Sequence, residues 1–277
     1  MTEERLRYRR LLLDLRDAAG DTAALAAALD LARMLDLDPL GLFIEDEDVF
    51  SLAGLPFARE LRLPAGAWRA LDPSRLADEM AALAERARRA FERAAAAIGR
   101  PAAFARLRGD PGVLLAQQAS EADIVALAPS AAPAALTDAA SRRVEEALGG
   151  LGRTVLMLPP RLARTRGPIA AVLSGTGDAE AELAIRAAVT SGEALLLLAA
   201  AEDPRMAGAI AAAEAAGVAA GRIAVRLLAA PTVGAILAAL ASAEERMLVL
   251  PRRRAGTRLS ALAAARGVPV LAVDARA

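Results

Sequence analysis

The chain has 277 residues, with 34 basic and 34 acidic side chains and a formal net charge of zero, which argues against a broad electrostatic surface for nucleic acid or an anionic membrane. It contains no Cys, His, Lys or Asn, which excludes thiol and Ser-His catalysis, Schiff-base chemistry and zinc sites built on Cys or His. Carboxylates remain as acids or bases, but none pairs with a nucleophile at a suitable spacing, so we expect no enzymatic activity.

Short Leu-rich or β-branched runs alternate with long Ala-rich amphipathic stretches, a pattern typical of βα units around a parallel sheet. In the first half this pattern predicts five strands and four helices. The predicted strands are 10–15, 40–44, 103–107, 124–127 and 154–158, and the predicted helices are 21–35, 75–98, 112–120 and 141–148.

One segment, 45–74, interrupts this alternation with the sequence EDEDVFSLAGLPFARELRLPAGAWRALDPS. It carries Phe50, Phe57 and the only Trp, Trp68, in a chain with 3% aromatic residues. A connection of this length inside a compact domain is usually functional or folded in its own right. We expect this insert either to cover the first half of the chain or to form an interface with a second copy.

The insert opens with four consecutive acids, Glu45 to Asp48. Carboxylates suit Mg²⁺ or Ca²⁺, but consecutive side chains point in different directions and rarely converge on one ion. Capping of a helix N-terminus is therefore the favoured role of this run, and we expect no metal site.

The second half repeats the alternation without an insert. Its predicted strands are 169–173, 194–199, 222–227, 247–250 and 269–273, and its predicted helices are 178–190, 204–216, 232–243 and 258–266. The seam at 159–168 is rich in Pro and Arg, as in a linker. The sequence thus predicts an α/β protein with two tandem Rossmann-like domains, residues 1–160 with the insert and a shorter 167–277, each a five-stranded parallel sheet flanked by helices.

Three stretches resemble the universal stress protein family. The first, RLLLDLRDAAGDTAALAAALDLARMLDLDPLGLFI from Arg10 to Ile44, is similar to the opening β-α-β of that family. The second, RGDPGVLLAQQASEADIVALAP, is similar to the family's passage from the third helix to the fourth strand. The third, GVPVLAV near the C-terminus, is similar to the family's closing strand. The resemblance spans nearly the whole chain. It implies a tandem universal stress protein whose halves pair through their last strands. We therefore expect an internal pseudo-dimer or a homodimer, the latter through the insert.

The same resemblance directs attention to a nucleotide site at the end of the first strand. Nucleotide-binding members of the family carry an Asp there, near the base. In this chain the corresponding residue is Arg16, with Asp17 next to it, and Ser174 in the second half. Both halves therefore depart from the family's pattern where the base would bind.

The loop of this chain that corresponds to the family's phosphate loop also departs from the family's pattern. Binders carry Gly-x-x-Gly, nine residues, and Gly-Ser or Gly-Thr after the fourth strand, because glycines let backbone N–H groups close on a phosphate. The first half has no glycine from Ala126 until Gly149, and the second has Gly256 and Thr257 in a loop that is too short. The resemblance thus implies a degenerate nucleotide-binding site and no ATP binding of the usual kind.

A remnant of an anion site is still possible at the carboxyl ends of the strands, where ligands of parallel sheets collect. Guanidinium groups suit phosphate or carboxylate, and Ser141 is placed to cap a helix. The candidates for binding an anion or a nucleotide such as ATP or AMP are Arg16, Asp17, Ser141, Arg252, Arg253 and Arg254. The alternative is a solvated loop and an ordinary capped helix.

The start, MTEERLRYRR, is charged and lacks the apolar stretch of a signal peptide. The longest weakly polar stretch, 227–243, is too polar for a membrane span. We therefore expect a cytoplasmic protein without membrane contact.

These observations predict a non-enzymatic regulatory or stress-response protein that acts through protein contacts and needs no cofactor. The alternative is a nucleotide- or anion-sensing module with an altered pocket.

Overall fold

The computed structural model describes residues 8–16, 22–62, 66–120, 123–128, 153–173, 179–200, 203–230, 232–255 and 259–274. Strands and helices alternate through its first half. In chain order they are β1 (Arg10–Asp14), α1 (Thr22–Met34), β2 (Asp38–Asp46), α2 (Glu47–Ala53), β3 (Arg59–Arg62), β4 (Ala67–Ala70), α3 (Pro73–Ala97), β5 (Ala103–Gly109), α4 (Pro111–Gln118), β6 (Asp123–Leu127) and β7 (Thr154–Met157).

The second half continues the alternation. Its elements are β8 (Ile169–Leu173), α5 (Ala179–Ser191), β9 (Leu195–Ala199), α6 (Arg205–Ala215), a short 3-10 turn (Ala220–Arg222), β10 (Ile223–Leu227), α7 (Val233–Ala239), β11 (Met247–Pro251), α8 (Arg252–Ala255), α9 (Leu259–Arg266) and β12 (Val270–Val273).

Ten of the described strands form one sheet, in the order β10-β9-β8-β11-β12-β7-β6-β1-β2-β5. All neighbours within each half are parallel. In both halves the first strand is central, the next two lie on one side of it and the last two on the other. The halves meet where β7 pairs antiparallel with β12, with Leu271 opposite Leu156. The predicted parallel sheets are therefore present as two halves of one larger sheet.

Helices cover both faces of this sheet, and each face has a core drawn from both halves. Successive residues of a strand point to opposite faces. Thus Leu13 and Leu197 belong to one core, whereas Leu12 and Leu250 belong to the other. The predicted α/β fold class is confirmed. The domain limits, 1–160 and 167–277, stay a prediction, because the sheet and both cores run across them.

The predicted strands of the main sheet begin and end within two residues of the observed strands. Differences concern the insert and one predicted helix, and a further predicted helix is untested. The insert folds as α2 and an antiparallel β3-β4 hairpin, which the sequence pattern did not predict. The predicted helix 232–243 is shorter in the structure, where α7 ends at Ala239. The predicted helix 141–148 lies outside the described residues.

The early end of α7 has a polar cause. The guanidinium Nη2 of Arg266 donates to the carbonyl oxygens of Leu240 at 2.9 Å and Ala243 at 3.0 Å. The same guanidinium donates from Nε and Nη2 to both carboxylate oxygens of Glu245, at 2.7 and 2.8 Å. Glu245 is fully buried, and its carboxylate raises the pKa of Arg266 above the usual value. Arg266 therefore holds the turn from α7 into β11.

A second ion pair, in which only the carboxylate is buried, joins two central strands. Asp123 is buried at the start of β6 and accepts from Nε and Nη2 of Arg10, at the start of β1, at 2.9 and 2.6 Å. Its carboxylate also accepts from the backbone N–H of Ser120 at 2.7 Å. The Asp before the fourth strand, part of the stretch that resembles the family, is thus a structural residue in this chain.

Replacing Arg266 with Ala leaves the Glu245 carboxylate buried without its guanidinium partner. We expect this variant to lower the free energy of unfolding by about 3 to 5 kcal/mol, the usual cost of breaking a buried pair. Urea denaturation followed by circular dichroism measures the change.

The matched control is Arg89→Ala, because Arg89 pairs with Glu85 on the surface with 69% of its side chain exposed. Its loss should cost less than about 1 kcal/mol. Equal losses in the two variants would contradict a structural role for the Arg266 pair.

Candidate functional site

In open α/β sheets ligands bind in a crevice at the carboxyl ends of the strands, at the point where the strand order reverses, and each half has one such point, here called its crevice. In the first half it lies between the ends of β1 and β6, and in the second between the ends of β8 and β11. Because β7 and β12 are antiparallel, the two carboxyl edges face opposite ends of the shared sheet. The two crevices are therefore separate.

Arg16, the candidate at the first crevice, is bound by a carboxylate. Its Nε lies 3.0 and 2.8 Å from the two carboxylate oxygens of Asp14, and its Nη2 lies 2.5 Å from Oδ2. The backbone N–H of Arg16 also donates to Asp14 Oδ1, at 3.1 Å. An incoming anion must compete with this bidentate pair for the guanidinium.

Asp14 is the last residue of β1, with only 9% of its side chain exposed. The sequence analysis did not identify it as a site residue. A signal was available, because an acid two residues before an arginine at a strand end favours a local ion pair. The pair formed by Asp14 and Arg16 carries no net charge.

The candidates of the second crevice lie at the start of α8. Arg252 donates from Nη1 to the main-chain oxygen of Arg153, the residue before β7. This bond crosses the junction between the halves, as does the bond of the Asp274 N–H to Thr154 Oγ1 at 3.3 Å. Arg253 is exposed. The structure therefore gives Arg252 a contact at the junction and places it at the edge opposite Arg16, so these two arginines do not share a pocket.

The remaining candidates cannot be placed around either crevice. Asp17 and Ser141 lie outside the described residues, and Arg254 is described by its backbone alone. The glycine-free stretch after β6 is also outside the described residues, so its effect on phosphate binding stays a prediction. In the second half β11 passes directly into α8, and the segment with Gly256 and Thr257 follows outside the described residues.

Two residues of the acidic run at the start of the insert have structural roles. Asp46 caps α2 by accepting from the backbone N–H of Asp48 at 3.0 Å, as the capping interpretation predicted. Glu45 is buried and bound by two arginines of the edge strand β5, with Arg108 Nη2 at 2.8 Å and Arg106 Nε at 2.5 Å. Across the residues that the structure describes, no group of three or more acids is arranged to hold a metal ion.

The insert exposes apolar side chains to solvent. Ala53 of α2 is buried, and the guanidinium of Arg108 lies 3.9 Å above the ring of Phe50. The rest of the insert does not cover the first half: Phe57 is 75% exposed and Trp68 63% exposed. Of the ten large hydrophobic residues that are exposed in the described chain, six belong to the insert: Val49, Leu52, Leu55, Phe57, Leu61 and Trp68.

Ion pairs hold the hairpin of the insert in place. Glu60 on β3 is bound by Arg69 on β4 and by Arg75 on α3. Leu61 and Trp68 stand opposite each other in the hairpin register. The exposed apolar residues are thus presented on an ordered element.

None of the described helices combines the length and the apolar character needed to cross a membrane.

No family model and no curated protein matches the chain. Among solved structures it is similar to a universal stress protein from Archaeoglobus fulgidus DSM 4304, with a TM-score of 0.62, 17% identity and 97% of each chain covered. It is also similar to a functionally unknown protein from Pseudomonas aeruginosa PAO1, with a TM-score of 0.52, 16% identity, and 96% of this chain and 92% of that chain covered. At these identities the likeness concerns the fold, and the predicted universal stress protein fold is confirmed over nearly the whole chain.

Proposed function

We propose that this chain is a regulatory member of the universal stress protein family that works by binding another protein, without catalysis. The exposed apolar residues of the insert carry this proposal. Monomeric proteins rarely expose large contiguous apolar patches, and such patches usually mark the binding surface for a partner; in the insert Leu61 and Trp68 lie side by side. The insert is also the segment that lies outside the regular βα alternation.

The chemistry of the insert suits a protein partner. Burying a ring such as Phe57 or Trp68 contributes about 1.5 to 3 kcal/mol, and aromatic residues are enriched among those that dominate protein interfaces. The ion pairs of Glu60 fix the hairpin before binding, which limits the entropy lost on association. We expect a partner with an apolar groove that accepts these two rings.

The two crevices also support this proposal, because one candidate arginine in each already has a partner in the chain. In the first, Asp14 already occupies the guanidinium of Arg16. In the second, Arg252 is engaged at the junction. We propose that neither half binds ATP in the manner usual for nucleotide-binding universal stress proteins, and that the halves are tandem domains paired as an internal pseudo-dimer. The shared strand order and the β7-β12 pairing support the tandem arrangement.

A second candidate function is an anion or nucleotide sensor. The exposed Arg253, which follows the carboxyl end of β11, favours it, because ligands collect at this edge. In this case the ligand would bind in the second crevice alone.

The insert proposal predicts a contact that depends on two rings. A photo-cross-linking residue placed at Leu61 should capture a discrete protein in the producing cells. The double variant Phe57→Ser, Trp68→Ser should reduce this product at least about tenfold, because it removes the apolar anchors. Cross-linked products are measured by gel shift and mass spectrometry.

The matched control carries the cross-linker at Leu227 of the edge strand β10, which is 61% exposed, in the Val225→Ser background. It should give no discrete product. Unchanged cross-linking from position 61 in the double variant would refute the insert as the binding surface.

The proposal that neither half binds a nucleotide predicts no heat of binding when ATP or AMP is titrated into the purified chain. It also predicts no hydrolysis of ATP. The variant Asp14→Asn releases Arg16 and should be the one that gains weak affinity for AMP. Isothermal titration calorimetry compares the affinity of this variant for AMP with that of the unmodified chain. Micromolar binding of ATP by the unmodified chain would favour the sensor, and its loss in Arg253→Ser would place the site in the second crevice.

A further inference from the structure

A cavity of about 270 Å³ lies where the two halves meet, away from the residues of the candidate site. One face of α1 forms one wall, with residues at helical spacing from Ala23 to Met34. Met247 at the start of β11 and Pro269 before β12 form another wall. The seam closes the third side with Leu162, Arg164 and Thr165. The cavity is therefore built from both halves and from the segment that connects them.

The charges around the cavity do not balance. Asp30 on α1 pairs with Arg246 and also with Arg33, at 2.8 Å. Arg246 in turn lies 3.8 Å from Glu193. These four groups form an alternating network in which each charge faces an opposite one. Arg164, the remaining charged residue of the lining, leaves one positive charge in excess.

One nitrogen of the Arg164 guanidinium lacks an acceptor among the described residues. This atom, Nη1, is buried and has no hydrogen-bond partner within the part of the chain that the structure describes. A buried donor of this kind costs about 1 to 3 kcal/mol unless something accepts from it, and such groups are rare in native proteins. An acceptor that enters the cavity removes this cost.

Apart from Thr165, the rest of the lining is apolar: alanines and Leu31 and Met34 of α1, with Leu162 of the seam, Met247 and Pro269. Ligand sites are typically cavities of this kind, with a few polar groups that fix the orientation. At about 30 Å³ for each water-sized group, the space accommodates roughly nine non-hydrogen atoms. One end of a ligand of that size would contact Arg164, and its body would contact the apolar side chains.

We propose that the cavity binds a small monocarboxylate with an apolar body, such as a medium-chain or aryl acid, whose carboxylate accepts from Arg164. A monoanion fits because only one positive charge is in excess. A dianion such as a phosphate monoester would bring a second negative charge that no group of the lining compensates. This binding site goes beyond the proposed protein contact, and it lies on a different part of the molecule.

The test uses octanoate and phenylacetate as probes, with octanamide as the neutral counterpart of octanoate. Calorimetry on the full chain should show one site for at least one acid, with a negative heat-capacity change from apolar burial. Octanamide should bind at least about tenfold more weakly, because it brings no charge to the guanidinium. The midpoint of thermal unfolding should rise with the acid, since the ligand contacts both halves.

Two variants localise the site. Arg164→Gln should weaken binding of the acid at least about tenfold by removing the charge. Ala27→Leu should abolish it by filling the cavity from α1 with a residue of good helix propensity. The matched control is Arg166→Gln, because Arg166 is an exposed arginine two residues further along the same seam. It should bind the acid as the unmodified chain does.

Several results would overturn the proposal. One is the absence of binding of both acids to the unmodified chain below about 1 mM, which corresponds to about 4 kcal/mol of binding free energy. Another is undiminished binding in Arg164→Gln or in Ala27→Leu, provided that circular dichroism shows each variant folded. Equal affinity for octyl phosphate and octanoate would also contradict it, because it would remove the preference for a single negative charge.

Discussion

The antiparallel pairing of β7 with β12 is the contact on which the rest of the molecule depends. Each half alone would expose the backbone of its last strand, and an exposed strand edge tends to recruit another strand. Here each half covers the edge of the other within one chain, and both hydrophobic cores become continuous across the junction. The junction also receives polar bonds from Arg252 and from Asp274.

This arrangement decides where ligands and partners can bind. It sends the two carboxyl edges to opposite ends of the sheet, so that the arginines of the two halves act separately. It brings α1 against the start of β11 and creates the cavity beside the seam. It leaves β5 and β10 as the outer strands, and the insert, which packs beside β5 through α2, faces outward. Binding through the insert and binding in the cavity are therefore independent of each other in space.

The sequence predicted the main sheet well, because buried parallel strands are short apolar runs and the helices between them are long and rich in Ala. It did not predict the β3-β4 hairpin, whose strands RELR and AWRA have only four residues each and no tight-turn dipeptide between them. The sequence pointed to Arg16 as a candidate, which stays a prediction, and its ion-pair partner Asp14 was missed. The cavity was beyond reach, since its walls come from segments more than one hundred residues apart that only the tertiary packing brings together.

Disulfide trapping tests the junction most directly, because the chain has no cysteine of its own. Val155 and Ala272 stand opposite each other in the antiparallel register, whereas Val155 and Val270 are displaced by two residues on the same face. Opposed residues fall within the Cα separation of about 4.4 to 6.8 Å that a disulfide requires, and the displaced pair does not. The account predicts rapid bridging of Val155→Cys with Ala272→Cys on mild oxidation, seen by non-reducing electrophoresis and intact mass. Bridging of Val155→Cys with Val270→Cys at an equal or greater rate would contradict it.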